Sequence, residues 1–198
     1  DGTLAIAQAL SARHPGGACI HLPEKGRGRA LRRAWLESDA DIVSYMDVDL
    51  STDLKAFPAL VQAIEQGADI AVGSRLMRGA KVLRRPLKRE ITSRGYNMLI
   101  KLLFWTRFSD AQCGFKALSR RAAQAILPVT RDLAWFLDSE ILIIAEKNGL
   151  RIADVAVTWV DDPDSRVKVL KTAWGDIKGL LRLRFGGIPR VALPAAKK

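Results

Sequence analysis

The sequence predicts an α/β fold, a largely parallel sheet with helices on its faces. Three observations carry that prediction. Short apolar runs alternate with stretches of helical spacing through the first part of the chain, as repeated strand and helix units require. Proline and glycine punctuate the joints, at Pro15-Gly16-Gly17, Pro58 and Gly67. The 198 residues, 48% hydrophobic and 27% charged, suit one globular domain with a sizeable core and exclude wholesale disorder or a collagen-like chain.

In order, Asp1-Gly2-Thr3 reads as a turn and helix cap, followed by an amphipathic helix over 4–12. A chain that opens on a helix cap is expected to lack a preceding segment. The run 18–22 is a strand candidate, then a basic glycine loop leads into a helix over 29–37. A second strand, 41–46, ends in Asp47-Val48-Asp49; a helix over 58–66 and a strand over 69–73 follow. From Arg75 to Lys101 every charged residue except Glu90 is basic, and 87–105 has helical spacing. Further on, 115–118 and 152–160 read as strands, and 120–127, 137–148 and 167–184 as helices. The last of these sets Leu170, Trp174, Ile177 and Leu181 on one stripe with lysines and arginines elsewhere.

The charge balance is +11, from 32 Lys+Arg against 21 Asp+Glu. It predicts an anionic partner, whether nucleic acid, membrane surface or phosphorylated substrate. Cys19 and Cys113 cannot build a disulfide framework and have no metal-ligand spacing, which suits a reducing compartment. The apolar runs fall well short of the roughly 20 residues that span a bilayer, and residues 1–20 do not read as a charged region followed by an apolar one, so no secretory signal is expected among them.

Asp47 and Asp49, two carboxylates at i and i+2 just past a strand, can approach a hard divalent cation whose other ligands are water and substrate phosphate. The competing reading is a solvated acidic turn that caps the next helix. Lys25-Gly26-Arg27-Gly28 can bring backbone and cations to a diphosphate, or be an exposed basic turn. Arg89 and Ser93 share a helix face and can grip a phosphate, or simply be solvated. The aromatics nearby lie among apolar helix positions rather than forming a stacking platform, which disfavours nucleic acid. Asp110 and Gln112 precede Cys113, a packed thiol rather than a nucleophile, with no histidine near it in sequence. Trp135, Asp138 and Glu140 open the next helix, the two acids being cap candidates.

Taken in order, these motifs resemble the family 2 inverting glycosyltransferases of the GT-A fold, in the dolichyl- or polyprenyl-phosphate hexosyltransferase branch. The matching pieces are Asp1-Gly2-Thr3, Lys25-Gly26-Arg27-Gly28, Asp47-Val48-Asp49, Gly73-Ser74-Arg75, Arg89 with Ser93 and Asn97, Asp110-x-Gln112-Cys113-Gly114-Phe115-Lys116, and Trp135-Phe136-x-Asp138-x-Glu140. The sequence is most similar to the dolichyl-phosphate β-glucosyltransferases. The resemblance implies a catalytic domain over 1–165 without the family's first strand, and a basic amphipathic helix and tail over 166–198. It implies that Asp47 and Asp49 hold Mg2+ or Mn2+ and that Lys25, Gly26, Arg27 and Gly28, with Asp47, bind the donor. The resemblance likewise implies that Arg75, Arg89 and Ser93 hold the acceptor phosphate, that Asp110, with Asp49, serves catalysis as base or orienting group, and that Gln112, Trp135, Asp138 and Glu140 support.

The implied reaction moves a hexose from a nucleotide sugar to polyprenyl phosphate with inversion. UDP-glucose is favoured over GDP-mannose, because Ser51 stands where mannose enzymes often carry Gln. The expected setting is peripheral, on an anionic membrane at its cytoplasmic inner face, with no nucleic acid. The alternatives are a family 2 enzyme with another glycolipid or glycan acceptor, and a catalytically inactive basic binding domain.

Overall fold

A computed structural model describes residues 2–161 and 169–193. In chain order its elements are α1 (Thr3–Arg13), α2 (Arg27–Glu37), β1 (Ile42–Met46), α3 (Phe57–Glu65), β2 (Ile70–Ser74), β3 (Lys81–Leu83), α4 (Leu87–Phe104), β4 (Phe115–Ser119), α5 (Arg120–Ile126), α6 (Leu137–Lys147), β5 (Ile152–Ala156), β6 (Thr158–Val160) and α7 (Val169–Gly186). Asp1, the start proposed for the last helix, the 165/166 boundary and the lysines at the C-terminus lie outside the described residues.

The main sheet has the order β1-β4-β2-β5. Strands β1, β2 and β5 run one way, and β4 runs against both of its neighbours. The sheet is thus mixed, with three of four strands sharing a direction. Alternation along each strand splits the core in two. Ile70, Val72 and Leu118 join Ile100, Ile126, Leu142 and Leu180 on the face covered by α4–α7. Ala71, Phe115 and Ala117 join Leu60 and Ile64 of α3 on the other. Ser119 caps α5 by accepting from the Ala122 amide at 3.3 Å, and Pro58 at the start of α3 leaves no helical hydrogen bond unmade.

Three expectations need correction. Residues 18–22 form no strand: no described strand lies beside them to take their backbone groups, and β propensity alone does not make a ladder. The stretch 152–160 is two strands, not one: β5 pairs with β2, and after Val157 the chain turns into β6, which pairs with β3 in a separate two-stranded sheet. Strand β3 itself sits inside the basic stretch, too short and too charged to show as a strand. Helix α7 packs on the domain, but through Asp176, Leu180 and Leu183; the stripe of Trp174, Ile177 and Leu181 faces outward and continues to Phe185.

Candidate active site

The exits of β1 and β2 lie at one edge of the sheet. Because β4 is antiparallel to both, the loop that enters it reaches the same edge. This arrangement brings Asp47, Arg75 and the 110–114 segment together from three distant parts of the sequence.

Asp47-Val48-Asp49-Leu50 forms a tight turn closed by the Leu50 amide on the Asp47 carbonyl at 3.1 Å. Leu50 takes φ 52°, a left-handed conformation that costs a branched residue about 1 kcal/mol or more. The Asp49 carboxylate accepts from the Ser51 amide at 2.9 Å. The helical turn that follows is capped instead by Asp53, which accepts from the Lys55 amide. The acidic turn therefore has no helix-capping duty. Its carboxylates remain at the surface edge of the site, and two hard oxygen donors on an open turn fit an ion that completes its shell with diphosphate and water. No group of three or more His, Cys, Asp or Glu side chains is placed to hold a metal among the described residues, so any ion here depends on those outside ligands.

Asp47 is fixed from two sides. Its backbone amide donates to the Gly114 carbonyl at 3.0 Å. Its carboxylate lies so close to Gly114 that a Cβ there would come within 1.7 Å of Oδ2. Glycine is required by this contact. The other oxygen, Oδ1, accepts from Arg27 Nη2 at 3.1 Å.

Arg27 is the hub of a buried cluster. It donates also to Asp138 and lies between the rings of Tyr45 and Trp135, its guanidinium 4.7 and 5.1 Å from their centres. Asp138 in turn accepts from the Tyr45 hydroxyl and lies 3.1 Å from Lys116 Nζ. Burial opposes ionisation of Asp138, but Lys116, Arg27 and the Tyr45 hydrogen bond outweigh it and hold its carboxyl below the usual range. Burial likewise opposes the charge on Arg27, and Asp138, Tyr45 and Asp47 more than restore it. Asp138 therefore belongs to the site rather than to a helix cap.

The glycines of the 25–28 loop make room for a neighbouring segment. A Cβ on Gly26 would come within 2.5 Å of the Leu133 carbonyl oxygen, and one on Gly28 within 2.9 Å of the Ala134 oxygen. Both let the 131–134 segment pass against α2, and the Arg29 amide donates to Leu133 O at 3.1 Å. Lys25 is exposed. Glu140 holds that same segment from below, accepting from the amides of Arg131 and Asp132 at 3.1 and 2.8 Å, and pairs with Arg182 of α7 at 3.0 Å. It is no helix cap either: it fixes the loop that carries Trp135 over Arg27.

Asp110 is fully buried and paired two-fold with Arg75, Nε to Oδ2 at 2.7 Å and Nη2 to Oδ1 at 2.9 Å. Burial alone would raise its pKa, but Arg75 and its hydrogen bonds hold it below the carboxylate range. Gln112 donates to Asp176 of α7 at 2.8 Å, and Asn97 accepts from the Ala111 amide at 2.8 Å, so two helices pin this loop. Cys113 is fully buried, and burial with nearby Asp110 pushes its thiol up to about 12, which fits packing rather than nucleophilic chemistry.

Arg89 pairs with Asp161, and Ser93 is buried, its hydroxyl without a hydrogen-bond partner among the described residues. Arg75, Arg89 and Ser93 are thus not one free cationic face: both arginines already hold a buried carboxylate. Sequence reasoning gave no individual role to Tyr45, Lys116, Arg85 or Trp159, although Lys116 stood inside a matching motif and Arg85 inside the basic stretch. A usable signal existed for the first two. Period-two alternation puts Tyr45 on the face of Val43 two residues before Asp47, and the ladder sets it opposite Lys116.

The sequence pattern of Glycosyl transferase family 2 matches residues 1–127. Glycosyltransferase AglD of Haloferax volcanii is 38% identical over 184 residues, which are 92% of this chain and 29% of that protein. The dolichyl-phosphate beta-glucosyltransferase ALG5C of Trichomonas vaginalis is 30% identical over 176 residues, 85% of this chain and 52% of its own length. The dolichol-phosphate mannosyltransferase of Pyrococcus furiosus is 34% identical over 128 residues, 64% of this chain and 36% of its own. This chain therefore spans about half or less of these relatives. Among solved structures, glucosyl-3-phosphoglycerate synthase from Mycobacterium tuberculosis in complex with UDP superposes with a TM-score of 0.66 at 20% identity, covering 94% of this chain and 66% of that one. The same enzyme with Mn2+, UDP-glucose and glycerol 3-phosphate gives 0.61 at 17%, covering 84% and 57%. These likenesses establish the GT-A type of α/β fold. With the family pattern spanning well over half of its residues, the chain belongs to glycosyl transferase family 2.

Proposed function

We propose that this domain is a metal-dependent hexosyltransferase that moves glucose, in preference to mannose, from a nucleotide sugar to a polyprenyl or dolichyl phosphate with inversion. The observation that carries the reading is the convergence, at one sheet edge, of the Asp47-Val48-Asp49 turn, the Arg75–Asp110 pair and the 110–116 loop. The names of the glucosyltransferase relatives support the sugar and the acceptor. The Mn2+ and UDP-glucose bound by the structural neighbours support the metal and the donor.

Asp47 and Asp49 would hold the ion, Mg2+ or Mn2+, and once bound it would supply positive charge to the leaving diphosphate. Arg27 keeps Asp47 aimed at it, and the 25–28 loop with Trp135 borders the donor. An acceptor phosphate oxygen attacks the anomeric carbon, the C1–O bond to the diphosphate breaks, and the nucleoside diphosphate departs with that electron pair. A phosphate dianion brings its own charge and needs no proton removed. Asp110, held ionised and fully paired by Arg75, acts as an orienting group that keeps Arg75 in place for phosphate, not as the base.

The acceptor is a lipid, and the surface suits one. Leu87, Ile91, Met98 and Leu102 on α4, Trp105 just past its end, and Trp174, Ile177, Leu181 and Phe185 on α7 are all exposed, on two helices that pack together. Lys88, Arg94, Lys101, Lys178 and Arg184 interleave with them. We assign this face to an anionic bilayer surface on the cytoplasmic side. No helix among the described residues is long and apolar enough to cross a membrane.

The test is transfer of label from UDP-glucose or GDP-mannose to dolichyl phosphate in detergent, with and without EDTA. Lipid-soluble label from UDP-glucose, abolished by EDTA and by Asp49→Asn, is expected. Mannose transfer alone would overturn the donor preference, and transfer that survives Asp49→Asn would overturn the metal assignment.

A further inference from the structure

We infer that Arg85 is a further phosphate-gripping residue of the acceptor site, held over Trp159 beside Arg75. This rests on the proposed acceptor reading and extends it to a residue outside the recognised motifs.

Two adjacent arginines are treated oppositely by the fold. Arg84 takes φ 57°, a left-handed conformation that L-residues adopt at a cost, and is exposed. The side chain of Arg85, next to it, is only 7% exposed. The backbone is thus strained at the step that turns a cation inward. Burying a guanidinium without full pairing is unfavourable, so its surroundings matter. Nη1 donates to Glu90 Oε2 at 2.8 Å, but Glu90 also accepts from Arg94. Arg85 Nε is buried and has no partner among the described residues.

The neighbouring charge has the same sign. The Arg75 and Arg85 guanidinium carbons lie 5.4 and 5.5 Å from the centre of the one Trp159 ring. Burial first, and then Arg75, lower the pKa of Arg85. Arg75 spends its fork on Asp110, and among the described residues the carboxylate that pairs with Arg85 is Glu90, which it shares with Arg94. The third feature lies on the helix that Arg85 introduces: the Ser93 hydroxyl, buried and likewise without a partner among the described residues. Unmade donors, a like-charge pair and an aromatic floor suit an anion with several acceptor oxygens. A phosphate monoester has that chemistry: it offers three oxygens to the arginines and the hydroxyl, and its charge offsets their repulsion. Tying α4 to β6 through Glu90 and Trp159 would explain the contacts but not the unmade donor.

The experiment is calorimetric titration of the whole chain with geranyl phosphate, with geraniol, and with UDP plus Mn2+. Wild type, Arg85→Ala, Arg85→Lys, Arg85→Gln and Arg89→Ala are compared, with melting temperatures as a check on folding. Arg85→Ala should weaken geranyl phosphate about ten- to a hundredfold and leave UDP–Mn2+ within about twofold. Arg85→Lys should recover only part, because a point charge cannot reproduce the planar fork. Should Arg85→Ala fail to fold, Arg85→Gln, which keeps part of the stem and a planar head, carries the same expectation. If Arg89→Ala loses the phosphate while the Arg85 variants only shift the melting temperature, the acceptor site stands and this assignment falls. If the unaltered chain binds geranyl phosphate no better than geraniol, both fall. A loss confined to UDP would move Arg85 to the donor and overturn the assignment.

Discussion

Arg75 and Asp110 form a two-toothed buried ion pair, reinforced by the Arg75 backbone amide on Asp110 Oδ2 at 3.1 Å. The pair joins the end of β2 to the loop entering β4, residues 35 apart in sequence. Removing either partner leaves a buried charge without its complement, the expensive half of such a pair.

Arg75→Met should therefore cost roughly 3–5 kcal/mol of folding stability. Arg75→Met with Asp110→Leu should cost clearly less than the sum of the single changes. Urea unfolding of the two single variants and the double variant measures the coupling. Additive losses would mean the pair does not act as a unit. One practical consequence is that Arg75→Ala cannot test phosphate binding cleanly, because it perturbs the fold at the same time.

Gly114→Ala probes the metal turn without touching a carboxylate. The new Cβ would meet Asp47 Oδ2 at 1.7 Å, so the carboxylate must swing away from the turn it shares with Asp49. Affinity for Mn2+ in the presence of UDP should fall at least tenfold, with a melting temperature close to wild type because Asp47 is partly exposed. Titration of Mn2+ into the UDP-saturated variant checks this. Wild-type affinity would mean that Asp47 does not need its place against Gly114.

Much of the fold was legible because strand and helix periods are local properties. All seven α-helices among the described residues and the strands before Asp47 and Arg75 could be placed from apolar spacing and from proline and glycine. What periodicity cannot carry is partnership. The run 18–22 looked like a strand but has no described neighbour, while Lys81–Leu83 is a strand only because Thr158–Val160 lies beside it. The site was half legible for the same reason. The motif residues do gather at one edge, but their pairing was hidden. Arg75 and Arg89 read as free cations, and each is committed to an acid that the sequence sets far away. The reversed direction of β4, which makes the edge possible, leaves no mark in its five residues.

Asp176 predicts a pH dependence. Burial first, then Asp132 and Asp138, push its carboxyl up to about 7, above its value in an unfolded chain. The folded protein therefore binds this proton more tightly, so stability from this group is lost as pH rises from about 4 towards 7 and is constant beyond. Asp176→Asn, which still accepts from Gln112, should remove that slope. Its melting temperature relative to wild type should rise between pH 5 and pH 8, by the equivalent of a few kcal/mol at most. A difference that stays flat across this range would show that Asp176 does not titrate there.

The exposed helix face makes the last prediction. Trp174 and Phe185 are 60% and 80% exposed, so changing them to serine removes no core contact and should leave stability within about 0.5 kcal/mol. If the face lies on a bilayer, each aromatic side chain gains roughly 1.5–3 kcal/mol by leaving water. Trp174→Ser with Phe185→Ser should then lower partitioning onto vesicles of mixed phosphatidylglycerol and phosphatidylcholine by at least tenfold. Raising the salt should weaken the wild type as well, since Lys178 and Arg184 act through a screened surface potential. Vesicles of phosphatidylcholine alone should bind less tightly at every salt concentration. Co-sedimentation measures all three. Binding that ignores both serine changes but still falls with salt would reduce the attachment to charge alone, and unchanged binding in every arm would remove the membrane from this face.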